Sequence, residues 1–293
     1  MINVKELVDY CDNLYKNSET QCRCKDCKND CQGSCEKCLD KIHFGDTRRY
    51  NCFNITNYYL CKYIYKYSSE IEHLLVKDGF LEKLPMINAL SIGCGPCTDL
   101  VGIVNSVDYL DIKTKVNYTG VDMNNIWKHI HEYIKSYNDD NFEATFLYSD
   151  IFDALDSQEG ISYNIIVLQY VLSDMNKYDT DGVNTREFID RIVDKIIRYM
   201  KSGSIIIIND INYKSARQYY EYLLNKLKSL VNDGMKFRYA CRHFNNNVRQ
   251  SHYDYGYEYQ SNRVTTVIPR GIAEDYNSWD FCSSAQLIVV KDE

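Results

Sequence analysis

The chain has 293 residues, of which 45% are hydrophobic and 26% charged, and its formal net charge is -7 at pH 7. This composition is ordinary for a globular protein that buries a large core. No apolar run approaches the roughly 20 residues that a membrane span needs. The net negative charge argues against broad nucleic-acid binding, because phosphate contacts require a basic surface.

The N-terminal segment, residues 1–52, combines an amphipathic helix with a cysteine-rich stretch. Residues 1–16 carry charges throughout and lack the apolar centre of a secretory signal, so we expect a cytoplasmic protein, in which disulfides are rare. Two C-x-x-C pairs follow, with the spacing that lets adjacent thiolates reach one tetrahedral ion. This pattern predicts a small module folded around structural zinc. The candidate ligands are Cys22, Cys24, Cys27, Cys31, Cys35 and Cys38.

Other interpretations of this segment remain open. An iron–sulfur cluster would also suit so many thiolates, His43 could help to bind a second metal, and the stretch could be a disulfide-bonded or reduced loop. Its basic residues could form a local patch for RNA or an acidic partner, although solvated charges on a metal module are the simpler interpretation. These residues are Arg23, Lys25, Lys28, Lys37, Lys41, Arg48 and Arg49.

Residues 53–85 are expected to form a helical linker or lid. Apolar residues recur at helical spacing from Leu60 to Leu75, which indicates a helix that packs on the domain after it. Tyrosines surround this stripe. They either roof a ligand pocket or extend the core.

The most informative stretch is a short apolar strand, residues 88–92, that runs into the turn Gly93-Cys94-Gly95 and then a helix-like segment. Glycine lacks a Cβ, so the backbone of this turn can adopt left-handed angles and approach a ligand closely. The start of the following helix offers unpaired N–H donors. The turn therefore favours a nucleotide-type cofactor.

Three later strands end at acidic or polar residues. In an open parallel sheet, ligands bind outside the carboxyl ends of the strands, where an acid can accept hydrogen bonds from ribose hydroxyls. The strands and the residues after them are 116–121 with Asp122, 144–148 with Asp150, and 164–168 with Gln169 and Tyr170.

Strands and helices alternate from about residue 87 to residue 209, which predicts an α/β fold with a Rossmann-like parallel sheet. Residues 235–244 and 284–290 are predicted as two more strands with no helical pattern between them, so they should form an antiparallel hairpin at one edge. The connection between them, residues 245–282, is long for a hairpin and is interpreted as a functional insertion.

This set of residues resembles the class I S-adenosylmethionine-dependent methyltransferases over residues 86–293. The resemblance implies that the glycine loop holds the methionine part of the cofactor, that the acid after the second strand holds the ribose, and that the residues after the third strand contact adenine. The segment at Gln169 and Tyr170 would face the methyl group and its acceptor. The implied cofactor-binding residues are Gly93, Cys94, Gly95, Asp99, Asp122, Met123, Asp150, Ile151 and Gln169.

The residues also argue against related chemistries. A dinucleotide-binding oxidoreductase has a third glycine where this chain has Thr98, and an acid nearer to the glycines than Asp122. DNA amino-methyltransferases carry a Pro-Pro-aromatic turn after the fourth strand, whereas this chain has no proline between Pro96 and Pro269. Cytosine-C5 enzymes use a Pro-Cys nucleophile near that strand, and the one such pair here lies in the glycine loop.

Methyl transfer requires a protein to align a methyl group with a nucleophile, to exclude water and sometimes to remove a proton. The candidate catalytic residues lie at or just after predicted strand ends: Tyr170, Asp174, Asp210 and His243. We predict a methyltransferase acting on an oxygen or nitrogen of a small molecule, protein or RNA. The alternative is a zinc-bearing binding or interaction module that keeps this fold as a scaffold.

Overall fold

The computed structural model describes residues 2–18, 33–44, 50–156, 162–179, 181–232, 234–244 and 255–292. The helices are α1 (Val4–Ser18), α2 (Cys35–Phe44), α3 (Phe53–Asp78), α4 (Thr98–Tyr109), α5 (Lys128–Lys135), α6 (Ile151–Asp156), α7 (Val171–Lys177), α8 (Val183–Lys195), α9 (Lys214–Asn232) and α10 (Arg270–Tyr276). The strands are β1 (Met86–Ile92), β2 (Lys115–Val121), β3 (Phe142–Leu147), β4 (Ile165–Gln169), β5 (Ile205–Ile211), β6 (Phe237–His243), β7 (Tyr257–Glu258) and β8 (Ser284–Lys291).

The strands of the described residues form one sheet in the order β3-β2-β1-β4-β5-β8-β6-β7. Strands β1 to β5 are parallel, and β8 runs antiparallel between β5 and β6. The chain order reverses between β1 and β4, and such a switch point opens a crevice at the carboxyl ends of the strands. The predicted Rossmann-like sheet with an antiparallel final pair is confirmed.

The sheet is covered by a helical layer on each face. Along β5, Ile205 and Ile207 are buried in the cluster that includes α1 to α5, whereas Ile206 and Ile208 are buried in the cluster that includes α8 and α9. Successive strand residues point to opposite faces, so a continuous apolar run fills both layers.

Helix α3, the predicted helical linker, spans 26 residues and lies directly on α4. A Cβ added at Gly102 of α4 would lie 2.6 Å from the backbone oxygen of Ser68, so the two helices touch through their backbones. Gly79 ends α3 in a left-handed conformation with φ 61°, as is common for a residue that follows a helix. The contact fixes α3 relative to the glycine loop, which precedes α4.

The connection after β6 contains a helix that the sequence analysis did not predict. Helix α10 has seven residues and buries Ile272 and Tyr276, too short a stretch to show helical periodicity. Strand β7 pairs in parallel with β6 over two residues, while residues 245–254 lie outside the described ranges. None of the described helices has the length and apolar character needed to cross a bilayer.

Candidate functional site

The glycine loop is fixed to the end of β2 by backbone hydrogen bonds. The N–H groups of Gly93 and Cys94 both donate to the carbonyl of Val121, at 2.8 and 3.1 Å. Gly93 and Gly95 have φ values of 66° and 46°, and a Cβ on Gly93 would lie 2.9 Å from Val171 of α7. The predicted need for glycine is therefore met at Gly93, which remains solvent-exposed.

The carboxylate of Asp122 is directed at this loop. One of its oxygens accepts a hydrogen bond from the backbone N–H of Gly95 at 2.9 Å, and the other accepts from Asn124 at 2.8 Å. Burial raises the pKa of this carboxyl, and the two N–H groups oppose the rise. Met123, beside it, is 77% exposed. The acid after β2 and the glycine turn thus meet at the carboxyl ends of β1 and β2, next to the switch point between β1 and β4.

The other predicted cofactor residues take different positions. Asp150 accepts a hydrogen bond from the N–H of Phe152 at 2.9 Å and so caps α6, in which Ile151 is buried. Asp99 is buried in the first turn of α4 and accepts a hydrogen bond from the hydroxyl of Tyr118 at 3.0 Å. Burial raises its pKa. Asp99 therefore faces β2 beneath the loop.

Two cysteines of the loop form a buried cluster with a histidine. One polar atom from each of Cys94, Cys97 and His131 lies within 4.8 Å of the others. Burial acts to raise the pKa of the Cys97 thiol, but hydrogen bonding to Cys94 and the neighbouring His131 lower it to about 7. His131 lies in α5, so the sequence signal was only the C-x-x-C spacing.

The end of β4 connects the glycine loop to α3. The side-chain oxygen of Gln169 accepts from the Thr98 hydroxyl at 2.7 Å, and its amide nitrogen donates to the Tyr67 carbonyl at 2.9 Å. Tyr170 follows with φ 58°, and its N–H donates to the Asn209 carbonyl at 2.8 Å. Tyr170 is thereby held in a conformation that non-glycine residues adopt rarely.

A buried charged pair on α3, which was not predicted from the sequence, is hydrogen-bonded to the Tyr170 hydroxyl. Lys66 and Glu70 lie one helical turn apart, 3% and 0% exposed, with an N–O distance of 3.6 Å. The Tyr170 hydroxyl donates to Glu70 at 2.8 Å and accepts from Lys66 at 3.0 Å. Burial lowers the pKa of Lys66, and Glu70 opposes this shift. The available signal was two charged residues four apart in a helix otherwise rich in apolar and tyrosine residues.

Glu70 also holds two strands of the sheet. Its carboxylate accepts from the backbone N–H groups of Ser283 and Ser284 at 3.0 and 3.2 Å, and from the Asn209 amide at 2.9 Å. The ammonium group of Lys66 lies 4.7 Å from the ring centroid of Trp279. A buried carboxylate with this many donors is compensated for its loss of water.

Aromatic side chains of α3 extend over the loop. Tyr67 packs 4.2 Å from Tyr170, and Tyr59 lies 5.7 Å from Trp127 between ring centroids. A Cβ on Gly95 would lie 4.0 Å from the Trp127 ring. Trp127 is therefore the aromatic residue beside the glycine loop, and the tyrosines of α3 pack against Trp127 and Tyr170. Roof and core packing both stay open as roles for these tyrosines.

His43 belongs to this aromatic layer. Its ring nitrogens lie 2.8 Å from the Tyr50 hydroxyl and 3.3 Å from the Tyr63 hydroxyl. Burial lowers its pKa to about 3. His43 is therefore a neutral histidine that is hydrogen-bonded to two tyrosines, and a role for it in binding a second metal stays a prediction.

The remaining candidate catalytic residues differ in their distance from the loop. Asp210 is fully buried and accepts from the N–H groups of Ser173 and Ile211 at 2.9 and 2.7 Å, and burial raises its pKa to about 6. Asp174 is partly exposed and pairs with Lys177 at 3.1 Å. His243 ends β6, three strand positions from β4, or roughly 14 Å at the usual strand spacing.

The predicted zinc module is only partly within the described residues. Cys22, Cys24, Cys27 and Cys31 lie outside the described ranges. Cys35 and Cys38 are buried on α2, and Cys38 is disulfide-bonded. The prediction that Cys38 is a thiolate ligand of zinc is therefore wrong. Zinc at the N-terminal cysteines stays a prediction.

A cleft of about 710 Å³ lies at the amino ends of the parallel strands, whereas the glycine loop lies at their carboxyl ends. It is lined by residues that precede β1, β4 and β5, among them Lys83, Asn164 and Lys201. Ligands of parallel sheets bind at the carboxyl ends, so this cleft is separate from the candidate site.

Comparison with known proteins gives structural matches only. No family model and no curated protein matches the chain. The plantazolicin methyltransferase BpumL, solved with SAH, is 13% identical with a TM-score of 0.44, covering 97% of this chain and 100% of that one. Human methyltransferase 10 domain containing protein is 12% identical with a TM-score of 0.42, covering 77% and 81%.

A third solved structure, precorrin 8W decarboxylase from Methanobacterium thermoautotrophicum, is 16% identical with a TM-score of 0.38, covering 75% of this chain and 89% of that one. At this level of identity and overlap, likeness concerns at most a type of fold rather than a reaction.

Proposed function

We propose that this chain is an S-adenosylmethionine-dependent methyltransferase. The observation that carries the proposal is the hydrogen bond between Asp122 and the N–H of Gly95, which joins the acid after β2 to the glycine turn after β1. The carboxylate retains lone pairs for ribose hydroxyls. The exposed backbone at Gly93 is available to the methionine part of the ligand, while Val171 occupies the space where a Cβ would lie.

The other roles follow from position along the same edge. Asp150 and Ile151 lie at the end of β3, where they would contact the adenine. Tyr170 lies after β4, where it would face the acceptor. The transferred methyl group leaves the sulfonium and bonds to an oxygen or nitrogen, whose proton passes to a base or to water. The aromatic side chains of α3 would exclude water from this space, since Tyr67 already packs on Tyr170.

The proposal is tested by calorimetric titration of the full chain with S-adenosylmethionine and S-adenosylhomocysteine. We expect micromolar binding that weakens at least tenfold in Asp122→Ala, because hydrogen bonds to a charged group contribute about 1.5–3 kcal/mol and tenfold corresponds to about 1.4 kcal/mol. The matched control is Asp140→Ala, an exposed acid before β3, which should bind as the unaltered chain does.

Absence of binding by folded protein would contradict the proposal and favour the binding module with a retained scaffold. Equal affinity in Asp122→Ala and Asp140→Ala would contradict the assigned role of Asp122. The acceptor, an oxygen or nitrogen on a small molecule, protein or RNA, is then sought by transfer of a labelled methyl group. Elemental analysis of the unaltered chain and of Cys24→Ser tests structural zinc at the N-terminal cysteines, because only zinc bound there is lost in the variant.

A further inference from the structure

The cluster beneath the glycine loop has the composition of a metal site. The Cys94 sulfur lies 3.9 Å from Nε2 of His131, and the carbonyl oxygen of Gly95 lies 2.7 Å from the same nitrogen and 3.8 Å from the Cys97 sulfur. All three side chains are buried, with Cys97 and His131 fully so. Two sulfurs, one imidazole nitrogen and one carbonyl oxygen therefore converge on one small volume.

The spacing of the two cysteine sulfurs and Nε2 can be compared with that around a tetrahedral zinc ion. With Zn–S near ~2.3 Å and Zn–N near ~2.0 Å, ligand atoms lie roughly 3.5–3.8 Å apart. The observed sulfur–nitrogen distance of 3.9 Å exceeds the tetrahedral sulfur–nitrogen spacing by about 0.4 Å, so a small movement of the Cys94 or His131 side chain would bring both atoms to the ion. Cys94 and Cys97 also have the C-x-x-C spacing with which adjacent thiolates bind one ion.

The surroundings of His131 suit a metal ligand. Its Nδ1 lies 3.0 Å from the Tyr148 hydroxyl, and its ring stacks on Phe146 with centroids 4.2 Å apart. Metal-binding histidines usually use their second nitrogen for a hydrogen bond that fixes the ring. Nε2, the nitrogen that points to the two sulfurs, is then the ligand atom.

We propose that Cys94, Cys97 and His131 bind one Zn²⁺ ion, separate from any metal at the N-terminal cysteines. The carbonyl of Gly95 is not assigned to the fourth position, because its 2.7 Å distance to Nε2 is that of a hydrogen bond and is shorter than the spacing of two ligands of one tetrahedral ion. Binding displaces the two thiol protons, and the two thiolates balance the charge of the ion. The ion joins the glycine loop to α5, so that the loop is held from beneath as well as by its bonds to Val121.

The test measures metal content in the full chain, purified under reductant, stripped with a chelator and reloaded with Zn²⁺ alone. After excess metal is removed with a weak chelator, we expect Cys97→Ser and His131→Gln each to hold about one equivalent less zinc than the unaltered chain, because each variant lacks one ligand of the ion. The matched control is Cys61→Ser, a buried free cysteine on α3. Any zinc bound at the N-terminal cysteines is the same in the variants and in the unaltered chain, so it does not affect the difference in zinc content.

The proposal is overturned if folded Cys97→Ser and His131→Gln retain the full metal content. If neither variant folds, anomalous diffraction at the zinc edge from crystals of the unaltered, zinc-loaded chain decides. A peak between the two sulfurs and Nε2 supports the site, and the lack of a peak there excludes it.

Discussion

The two halves of the sheet's carboxyl edge are built in different ways. On the side of β1 and β2, the contact between Gly95 and Asp122 joins residues 27 positions apart. On the side of β4, β5 and β8, the Glu70 carboxylate is hydrogen-bonded to Tyr170, which is 100 positions away, and to Ser284, which is 214 positions away. The half at β1 and β2 depends on residues close together in the sequence. The half at β4, β5 and β8 forms only when distant elements have packed around α3.

The largest test of this contrast is Glu70→Ala. It leaves Lys66 buried without its partner and removes the acceptor of two backbone N–H groups, so we expect the free energy of unfolding to fall by about 3–5 kcal/mol. Urea denaturation measures it. The control is Glu132→Ala, which breaks the exposed pair with Lys135 and should cost about 0–1 kcal/mol. If Glu70→Ala and Glu132→Ala lowered the free energy of unfolding by similar amounts, the two halves would not differ in their dependence on α3.

A second test uses the pH dependence of Asp210, on the same side. Its pKa is raised to about 6, so the folded chain keeps a proton that the unfolded chain releases. The contribution of protonated Asp210 to the free energy of unfolding is fully present below the ordinary pKa of about 3.9. It is lost as the pH rises through about 6, which lowers the free energy of unfolding by roughly 2–3 kcal/mol. Asp210→Asn should lack this decline in urea unfolding between these pH values, whereas the exposed control Asp140→Asn should keep it. A decline that persists in Asp210→Asn would contradict the assignment.

A third test concerns the contact that joins the two halves, α3 on α4. A Cβ at Gly102 would meet the Ser68 oxygen at 2.6 Å and the Ile71 Cβ at 2.8 Å, so Gly102→Ala should lower the free energy of unfolding by about 1–3 kcal/mol. Gly271 in α10 has open space at its Cβ position, and Gly271→Ala should raise stability by up to about 1 kcal/mol. Thermal unfolding separates the two, and a neutral Gly102→Ala would show that α3 is free to shift.

The parts of the fold that the sequence predicted depend on local pattern. The strands were recognisable as continuous apolar runs, and the glycine turn as a conformational requirement at Gly93. Helix α10 was missed because seven residues show too little periodicity. The buried pair Lys66 and Glu70 was missed because an apolar stripe was taken as the whole buried face of α3.

In the candidate site, too, the sequence predicted only the contacts that depend on local pattern. Asp122 follows its strand directly, and its contact with the glycine turn needs only the order of β1 and β2. His131 could not be associated with Cys94 and Cys97, since the three residues meet only when α5 packs beneath the loop. The orientation of Asp99 toward Tyr118 likewise depends on packing that spacing does not encode.

The place of β8 has a consequence for biosynthesis. It enters the sheet between β5 and β6, although both leave the ribosome before it. Until it arrives, the nascent chain presents the isoleucine-rich edge of β5 unpaired, and such edges invite association with other chains. Arrival of Ser284 also brings the N–H group that binds Glu70. Chaperone engagement should therefore peak in chains stalled before β8 and end once it is released.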